Sequence, residues 1–494
     1  MQFEKIKRYD LLGIFIFIIC YTIAFSYYTI IRHTHFYTHA VDFGIFDQIF
    51  WNMVHNGTQV NTLETAFGKP AVFVNHLGVH FSLILYLFAP LYAIFQTPKT
   101  LLILQSFILG FGALPLYLLA KKKTNSIFFS QAICISYLLY PALHNLNLYE
   151  FHELAFAPAF ILFTLYFLEM GKYKWFLVFL TLSLFIKEDV ALSGVFIGLY
   201  IAFFKKEKAL GIWVAVLSLI YFLATIKIFM PFFGQPYDFT GRFADLISPK
   251  YSGYVGIFYT VITHPLFVLQ YIFTNPGKLL YIILLFHSVI FLSFFSGSAL
   301  LLIIPSLFVN LLSSQKLEYS IHVQYTGVVI PFVYFTAVIG YQKLPQKLKK
   351  YKHLFCYALI VLAVAATTLT IVKVLNNHKF PLPANYPENT TLIKVIKMVP
   401  KDAPIATMMT LAPHFTQRRE VWLFPNINDA EYVLFDIAKT QNYWPASYDD
   451  TMNLLKKLLR SKQYGVLDFE ETYILLKKGY DASANRKTLA AVTK

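Results

Sequence analysis

The stretch "YTHAVDFGIFDQIFWNMVHNG", residues 37–57, sets two carboxylates, Asp42 and Asp47, among Phe, Ile and Trp just beyond an apolar run long enough to cross a membrane. Ionised side chains so close to hydrocarbon are costly and face water or a protein cavity, which makes them candidates for chemistry. Five residues of helix is a rotation of roughly 140°, so the two acids cannot share one face. In one reading Asp42 is the N-cap of an interfacial helix. In the sharper one it is a general base toward a hydroxyl acceptor, with Asp47 binding the acceptor or assisting a cation.

Other titratable groups cluster nearby in the sequence. His76 and His80 in "NHLGVHFS" have the i, i+4 spacing of helical metal ligands but lack the glutamate of a zinc-hydrolase helix, which favours hydrogen bonds to a phosphate or a carbonyl. "YEFHE" packs Glu150, His152 and Glu153 into one turn, a density that packing alone does not explain. "KED", Lys187 to Asp189, separates two short apolar runs; Lys187 either pairs with Glu188 or holds a phosphate. Arg242 is a further phosphate candidate, and His322, Gln324 and Tyr325 head a late apolar run and could complete the same cavity.

The elements that position these groups are mostly membrane helices. Of 494 residues, 57% are hydrophobic and only 14% charged, with a mean hydropathy of +0.56, well beyond a soluble domain. At about 20 apolar residues per span, about eleven helices are expected, near 11–31, 99–120, 127–143, 154–170, 173–187, 190–204, 209–230, 278–296, 299–313, 325–341 and 354–375. Segment 81–97 is short and carries Pro90, and is expected to dip into the interface. The lysines of 121–123, 171–174, 205–208 and 343–353 then all fall on one side with the N-terminus, and the positive-inside rule makes that side cytoplasmic. The formal charge of +16 therefore orients helices and implies no nucleic-acid partner. The three cysteines lie in apolar runs at spacings that suit neither a zinc site nor a disulfide framework.

From about residue 376 the composition changes. "NNHKFPLPANYPENTT" reads as a linker, so a membrane domain of 1–375 and a soluble extracytoplasmic α/β domain of 376–494 are expected. Within the latter, "REVWLF", "AEYVLFD", "YGVLDF" and "TYILLKK" read as strands and "DDTMNLLKKLLRSK" as an amphipathic helix.

The ordered set "VDFGIFDQIFW", "HFSLILYLFAPLYAIF", "YEFHELAFAP", "LFIKEDVAL" and "HVQYTGVVIPF", spanning about residues 35–340, resembles a prokaryotic family of polytopic membrane proteins defined by a domain of unknown function. That family is grouped with the GT-C superfamily of membrane glycosyltransferases. The resemblance implies an all-α, GT-C-like membrane domain and a polyprenyl-phosphate-linked sugar donor; lysine- and isoleucine-rich usage with few cysteines suits a bacterial inner membrane. The resemblance also implies an acidic catalytic residue in the first external loop, where Asp42 and Asp47 stand. The acids here are spaced DxxxxD, whereas the superfamily commonly has an adjacent acidic pair.

The leading expectation is inverting sugar transfer on the outer face to a glycan, lipid or protein acceptor, with Asp42 as base. The donor phosphate would be held by Lys187, Arg242 or a histidine, and a divalent ion, Mg or Mn, could assist. A lipid or small-molecule transporter is the rival class, and a non-catalytic scaffold the third.

Overall fold

The computed structural model describes residues 8–68, 73–234, 239–247, 250–251, 253–376, 389–439 and 441–493. The linker expected at 376–391 falls mostly on 377–388, outside the described residues. Among the described residues, six helices are long and apolar enough to cross a membrane, or up to eight when two sharply bent pairs each count as one span. Several of the eleven expected spans are shorter than that measure requires. Ala157–Glu169, Tyr173–Leu184, Val190–Phe204 and Ile304–Leu312 are helical as expected but run only 13, 12, 15 and 9 residues. At 1.5 Å per residue these fall short of a hydrocarbon core about 30 Å thick. Conversely, part of the expected loop 231–277 is a bent apolar pair, Gly253–Thr263 and Pro265–Phe273. Pro265 divides that run into pieces of 11 and 9 residues, so neither half reads as a span.

Helix α1 (Arg8–Thr34) crosses first, and the amphipathic helix α2 (Ile45–Asn56) follows after a π-helical turn at Ala40–Gly44. Helix α3 (Leu85–Ile94) contains Pro90 and is only 10 residues long, consistent with an interfacial rather than a spanning segment. Small residues let helices approach closely. A side chain on Gly198 or Gly211 would collide with the backbone of the facing helix, which is how Val190–Phe204 and Lys208–Ala224 form a tight hairpin.

Two sheets lie beyond the membrane helices. Val60–Asn61 (β1) and Val74–Asn75 (β2) form a small antiparallel ladder in the first loop. The C-terminal sheet comprises β3 (Ile405–Thr407), β4 (Val421–Leu423), β5 (Tyr432–Asp436), β6 (Tyr464–Glu470) and β7 (Tyr473–Lys478) in the order β4-β3-β5-β7-β6. β3 is parallel to both neighbours and the remaining pairings are antiparallel. Four of the strands coincide with the expected segments; β3, three residues long, was not expected. Alternation separates the faces: Val421, Leu423, Leu434 and Leu475 join the large core shared with the membrane helices, while Trp422, Phe435, Ile474 and Leu476 pack in a second core. That second core includes Leu455 and Leu459 of the helix Tyr448–Ser461, whose start carries a Ser447/Asp450 capping box.

The first loop fastens the sheet to the membrane helices. The Thr62 hydroxyl donates to the carbonyl of Val421 (2.5 Å) and accepts from its N–H (3.0 Å), which covers the β4 edge. Gln48 donates to the carbonyl of Arg419, and the ring of His33 at the end of α1 stacks on His414 at 4.4 Å. The Asp42 loop, the α1 terminus and the sheet therefore share one face. The lysine-rich turns meet elsewhere: Lys123 and Lys205 both pair with Glu169, at the opposite end of the helix Pro98–Thr124 from residue 98.

Candidate active site

Asp42 sits inside the π-helical turn and makes no cap bond, so the N-cap reading does not apply. The N–H groups at that turn are satisfied from another loop. Both carboxylate oxygens of Glu150 accept from the N–H of His39 (3.1 and 3.0 Å), and one accepts from Phe43 (3.3 Å). Glu150 also bonds His39 Nδ1 at 2.7 Å and lies 3.9 Å from Arg32. Its backbone φ is +122°, a conformation that side chains other than Gly rarely adopt. Gln105, inside a membrane helix, holds that loop by donating to the carbonyl of Glu150 (2.9 Å) and accepting from the N–H of His152 (3.0 Å).

The result is a fixed Asp42–His152 pair. His152 Nε2 lies 3.0 Å from Asp42 Oδ1, and its Nδ1 lies 3.2 Å from the carbonyl oxygen of Glu150. An ionised Asp42 and the carbonyl both accept, an arrangement that suits a doubly protonated ring. Burial opposes that charge, but Asp42 outweighs it and the pKa of His152 is raised. The Asp42 side chain remains 24% exposed while His152 is 7% exposed. The Tyr149 ring lies 5.2 Å from that of His152, and burial, with Asp42 adding to it, raises its hydroxyl pKa. The site thus presents one accessible carboxylate braced by a cation.

A second limb sets two cations, Lys187 and Arg242, among acids. Lys187 is buried 3.8 Å from Glu153, too far for a hydrogen bond, so its donors are not committed there. Burial lowers its pKa, but the carboxylates of Asp189, Glu153 and Glu188 more than offset this. Glu188 does not pair with Lys187. It accepts from His80 Nδ1 (3.0 Å) and the N–H of Phe81 (3.1 Å), and His80 outweighs burial to hold its pKa low. Arg242 donates from Nη2 to Glu318 (2.7 Å), its Nε is in ion-pair contact with the other oxygen of that carboxylate at 2.5 Å, and its guanidinium lies 5.4 Å from the Tyr325 ring centroid. Arg242, Asp189, Asn310 and Tyr325 line one cleft. Asp189 Oδ1 has no hydrogen-bond partner among the described residues.

The two limbs are joined through residues 152–154: His152 bonds Asp42, its neighbour Glu153 faces Lys187, and Leu154 lines the cleft of Arg242 and Tyr325; the Phe46 ring packs edge-on to His152 (5.8 Å) and His76 (5.3 Å). His76 bonds Glu64 at 2.7 Å, and its Nε2 has no hydrogen-bond partner among the described residues. His76 and His80 do not share a regular helical face: only His76–Gly78 is helical, of 3-10 type, and each histidine serves a different acid.

A profile of the predicted membrane protein family DUF2079 matches residues 32–475. The chain belongs to that family. No curated protein matches the sequence significantly. Among solved structures, the DUF2079 chain resembles ArnT from Cupriavidus metallidurans bound to undecaprenyl phosphate. The alignment covers 95% of this chain and 99% of ArnT with a TM-score of 0.54 and 12% identity. The apo state of the same ArnT aligns over 94% and 98% with a TM-score of 0.49 and 11% identity. The fold of this DUF2079 chain is thus GT-C-like, with a small C-terminal sheet domain.

Of the residues singled out in the sequence, Asp42, His152, Glu153, Lys187, Arg242 and Tyr325 come together, with Glu150 supporting them and His76, His80 and Glu188 bordering them. Two are placed apart. His322 is exposed in an outer groove with Tyr281 and Tyr319. Asp47 is fully buried, with its two oxygens taken by Tyr92 (2.7 Å) and Thr416 (2.5 Å), so it ties α3 and the sheet domain to α2. The rotation between the acids thus sends them to different partners. Residues missed from the sequence are Arg32, His39, Glu64, Tyr149 and Glu318. For Glu318 the one available signal was that a buried Arg242 needs an acid.

Burial pushes Asp47 up to about 6, against the hydrogen bonds from Thr416 and Tyr92. Between its ordinary value near 4 and that figure, the folded state holds more protons than the unfolded one, so stability falls as pH rises through the window. Asp47→Asn is expected to flatten the melting temperature over about pH 4–6 and to cost little at neutral pH, as read by thermal unfolding in detergent.

Around the site, seven carboxylates (Asp42, Glu64, Glu150, Glu153, Glu188, Asp189, Glu318) meet three permanent cations (Arg32, Lys187, Arg242) and four histidines (His39, His76, His80, His152). Full ionisation is balanced only when every histidine is charged. For His39, His76 and His152, burial works against the charge but Glu150, Glu64 and Asp42 respectively raise the pKa. Their stabilisation is complete below about pH 6.5 and is lost as pH rises through the folded values. Melting temperature is accordingly expected to drop on going from about pH 6.5 to about pH 8.5, and to drop less in His76→Gln.

Proposed function

We propose that this protein is a membrane glycosyltransferase that moves a sugar from a polyprenyl-phosphate donor to a hydroxyl acceptor on the face bearing the sheet domain. The observation that carries the reading is the partly exposed Asp42 bonded to His152, whose neighbour Glu153 faces Lys187 at the edge of the cleft that holds Arg242 and Tyr325. The ArnT structure that resembles this fold holds undecaprenyl phosphate, which supports a lipid phosphate as the donor's leaving group. The lysine-rich turns gather at the other end of the helices, and the positive-inside rule assigns that end to the cytosol and the site to the outside.

In this reading the donor phosphate lies against Lys187 and Arg242, whose charges stabilise the departing lipid phosphate. The acceptor approaches through a wide cleft of about 1030 Å³ between α1 and the sheet domain, bordered by Tyr37, His39, Asp436, Gln441 and Tyr473. These amide, hydroxyl and aromatic groups suit a polyhydroxylated ligand. Asp42 takes the hydroxyl proton as the oxygen attacks the anomeric carbon, and the C–O bond to phosphate breaks on the opposite side, inverting the centre. Holding donor and acceptor in line supplies much of the remaining acceleration. Among the described residues, no three His, Cys, Asp or Glu side chains converge as ligands for a metal ion, so no step is assigned to one.

The test is to supply the purified protein with polyprenyl-phosphate hexose or pentose and measure release of lipid phosphate. Release by wild type and not by Asp42→Asn supports the reading; equal release from both, or none from any donor, counts against it.

A further inference from the structure

We propose that Asp189 reads the transferred sugar: its uncommitted carboxylate oxygen accepts a hydrogen bond from one hydroxyl of the donor, so this residue sets which sugars are taken. The inference rests on the sugar-transfer reading above and names the part of the donor that the Arg242 cleft holds. Asp189 stands at the N-cap of the helix Val190–Phe204, where an aspartate ordinarily accepts from the first helical N–H groups, yet its side chain makes no cap bond. It lines the cleft instead, with Ser193 one turn further along the helix and with Ser306 and Asn310 of Ile304–Leu312. Its Oδ1 is shielded from solvent and has no hydrogen-bond partner among the described residues. A carboxylate oxygen buried without a donor is costly, which calls for a donor from outside the chain.

What Asp189 lacks is a hydrogen rather than a countercharge. Lys187 and Arg242 both act on its carboxylate, yet burial outweighs them and its pKa is raised. The hydrogen bond of Arg242 goes to Glu318, and Lys187 faces Glu153. Both N–H bonds of the Asn310 amide are committed as well, to the Tyr281 hydroxyl (2.8 Å) and the carbonyl of Tyr325 (3.0 Å), so what that side chain has left to offer is its oxygen. Asp189 and Asn310 thus present acceptors, and the ligand must bring the donor.

An ionised phosphate ester carries acceptor oxygens only and cannot meet them; a sugar hydroxyl can. Size makes the same selection. The space beside Asp189 is about 20 Å³, room for one water-sized group. A hydroxyl enters it while the sugar ring stays at its mouth, and an acetamido or phosphate substituent is too large.

The experiment uses the full chain carrying Asp42→Asn, so that bound donor is not consumed, in a neutral detergent. Native mass spectrometry measures its affinity for polyprenyl-phosphate glucose, mannose and arabinose, for the singly deoxygenated forms of whichever binds best, and for polyprenyl phosphate alone. The sugar-bearing lipid is expected to bind more tightly than the bare one. Loss of one particular hydroxyl should weaken it about 10- to 100-fold, the range of a hydrogen bond to a charged group. Adding Asp189→Ala should weaken the parent donor to the same degree, leave the bare lipid unchanged, and cause no further loss with the sensitive deoxy sugar. Adding Asp189→Asn instead, which keeps an acceptor oxygen, should cost less; if the alanine variant does not fold, the asparagine variant completes the same cycle with a smaller discrimination. Independent, additive losses from the variant and the deoxy donor, an equal effect of Asp189→Ala on both lipids, or no preference for the sugar-bearing lipid would overturn the inference and leave sugar transfer standing. Asp189→Asn losing as much as Asp189→Ala, with an amino-sugar donor bound more tightly, would also overturn it, by showing that Oδ1 takes an ammonium. Failure of every lipid phosphate to bind would remove the sugar-transfer reading itself, and this inference with it.

Discussion

Asp42→Asn is expected to lower sugar transfer by about 10²- to 10⁴-fold, the usual contribution of one positioned base, with little change in melting temperature. The substitution keeps the size of the side chain and an oxygen for His152 while removing the proton acceptor. If Asp42 acts on the transferring hydroxyl, the loss falls on kcat and on kcat/KM together, because the contact strengthens only in the transition state. A loss confined to KM would mean that Asp42 merely binds the acceptor. Asp47→Asn is the matched control: its carboxylate is enclosed by Tyr92 and Thr416, so transfer should stay within a few-fold of wild type. His152→Gln isolates the brace. Glutamine can still donate to Asp42 but carries no charge, so it should lower the rate less than Asp42→Asn and move the pH profile. A purely structural role for His152 would leave that profile in place.

How far the sequence could reach is clear from the pairings themselves. The spans near 11–31, 209–230 and 354–375 were legible because an uninterrupted apolar run has few alternatives in water. So were β4 to β7, whose β-branched and aromatic residues alternate between two cores, and the capped helix Tyr448–Ser461. The residue types of the site were also legible, since charged groups beside hydrocarbon are costly. What could not be read was who partners whom. His39 meets Glu150 across 111 residues, His80 meets Glu188 across 108, and Arg242 meets Glu318 across 76. No periodicity carries such information. Asp42 and Asp47 look alike in sequence, and what distinguishes them is Thr416, 369 residues from Asp47, together with the loop that brings His152 to Asp42. The Lys187–Glu188 pairing was not legible for the same reason: Glu188 is claimed by His80 and Phe81, more than 100 residues away.

Glu150→Ala is expected to be the most destabilising single change at the site, by about 3–5 kcal/mol, the usual cost of removing one member of a buried ion pair. The side chain of Glu150 is 2% exposed and that of Arg32 7%, so without the carboxylate the guanidinium, which also donates to the carbonyls of Leu148 and Tyr37, remains in a desolvated position. The N–H groups of His39 and Phe43 lose their acceptor as well, and such orphaned buried donors add to the cost. Glu150→Gln keeps one acceptor oxygen and should lose less. Glu150→Gly separates side-chain from backbone effects. At φ +122° a Cβ is disfavoured, so the glycine variant should be more stable than the alanine variant by about 1 kcal/mol, the reverse of the order found in a helix. Denaturant or thermal unfolding in detergent measures all three. An alanine variant as stable as wild type would mean that the Arg32–Glu150–His39 network does not hold the Asp42 turn. A large loss accompanied by intact transfer in the surviving folded fraction would mean that the turn finds its geometry without it.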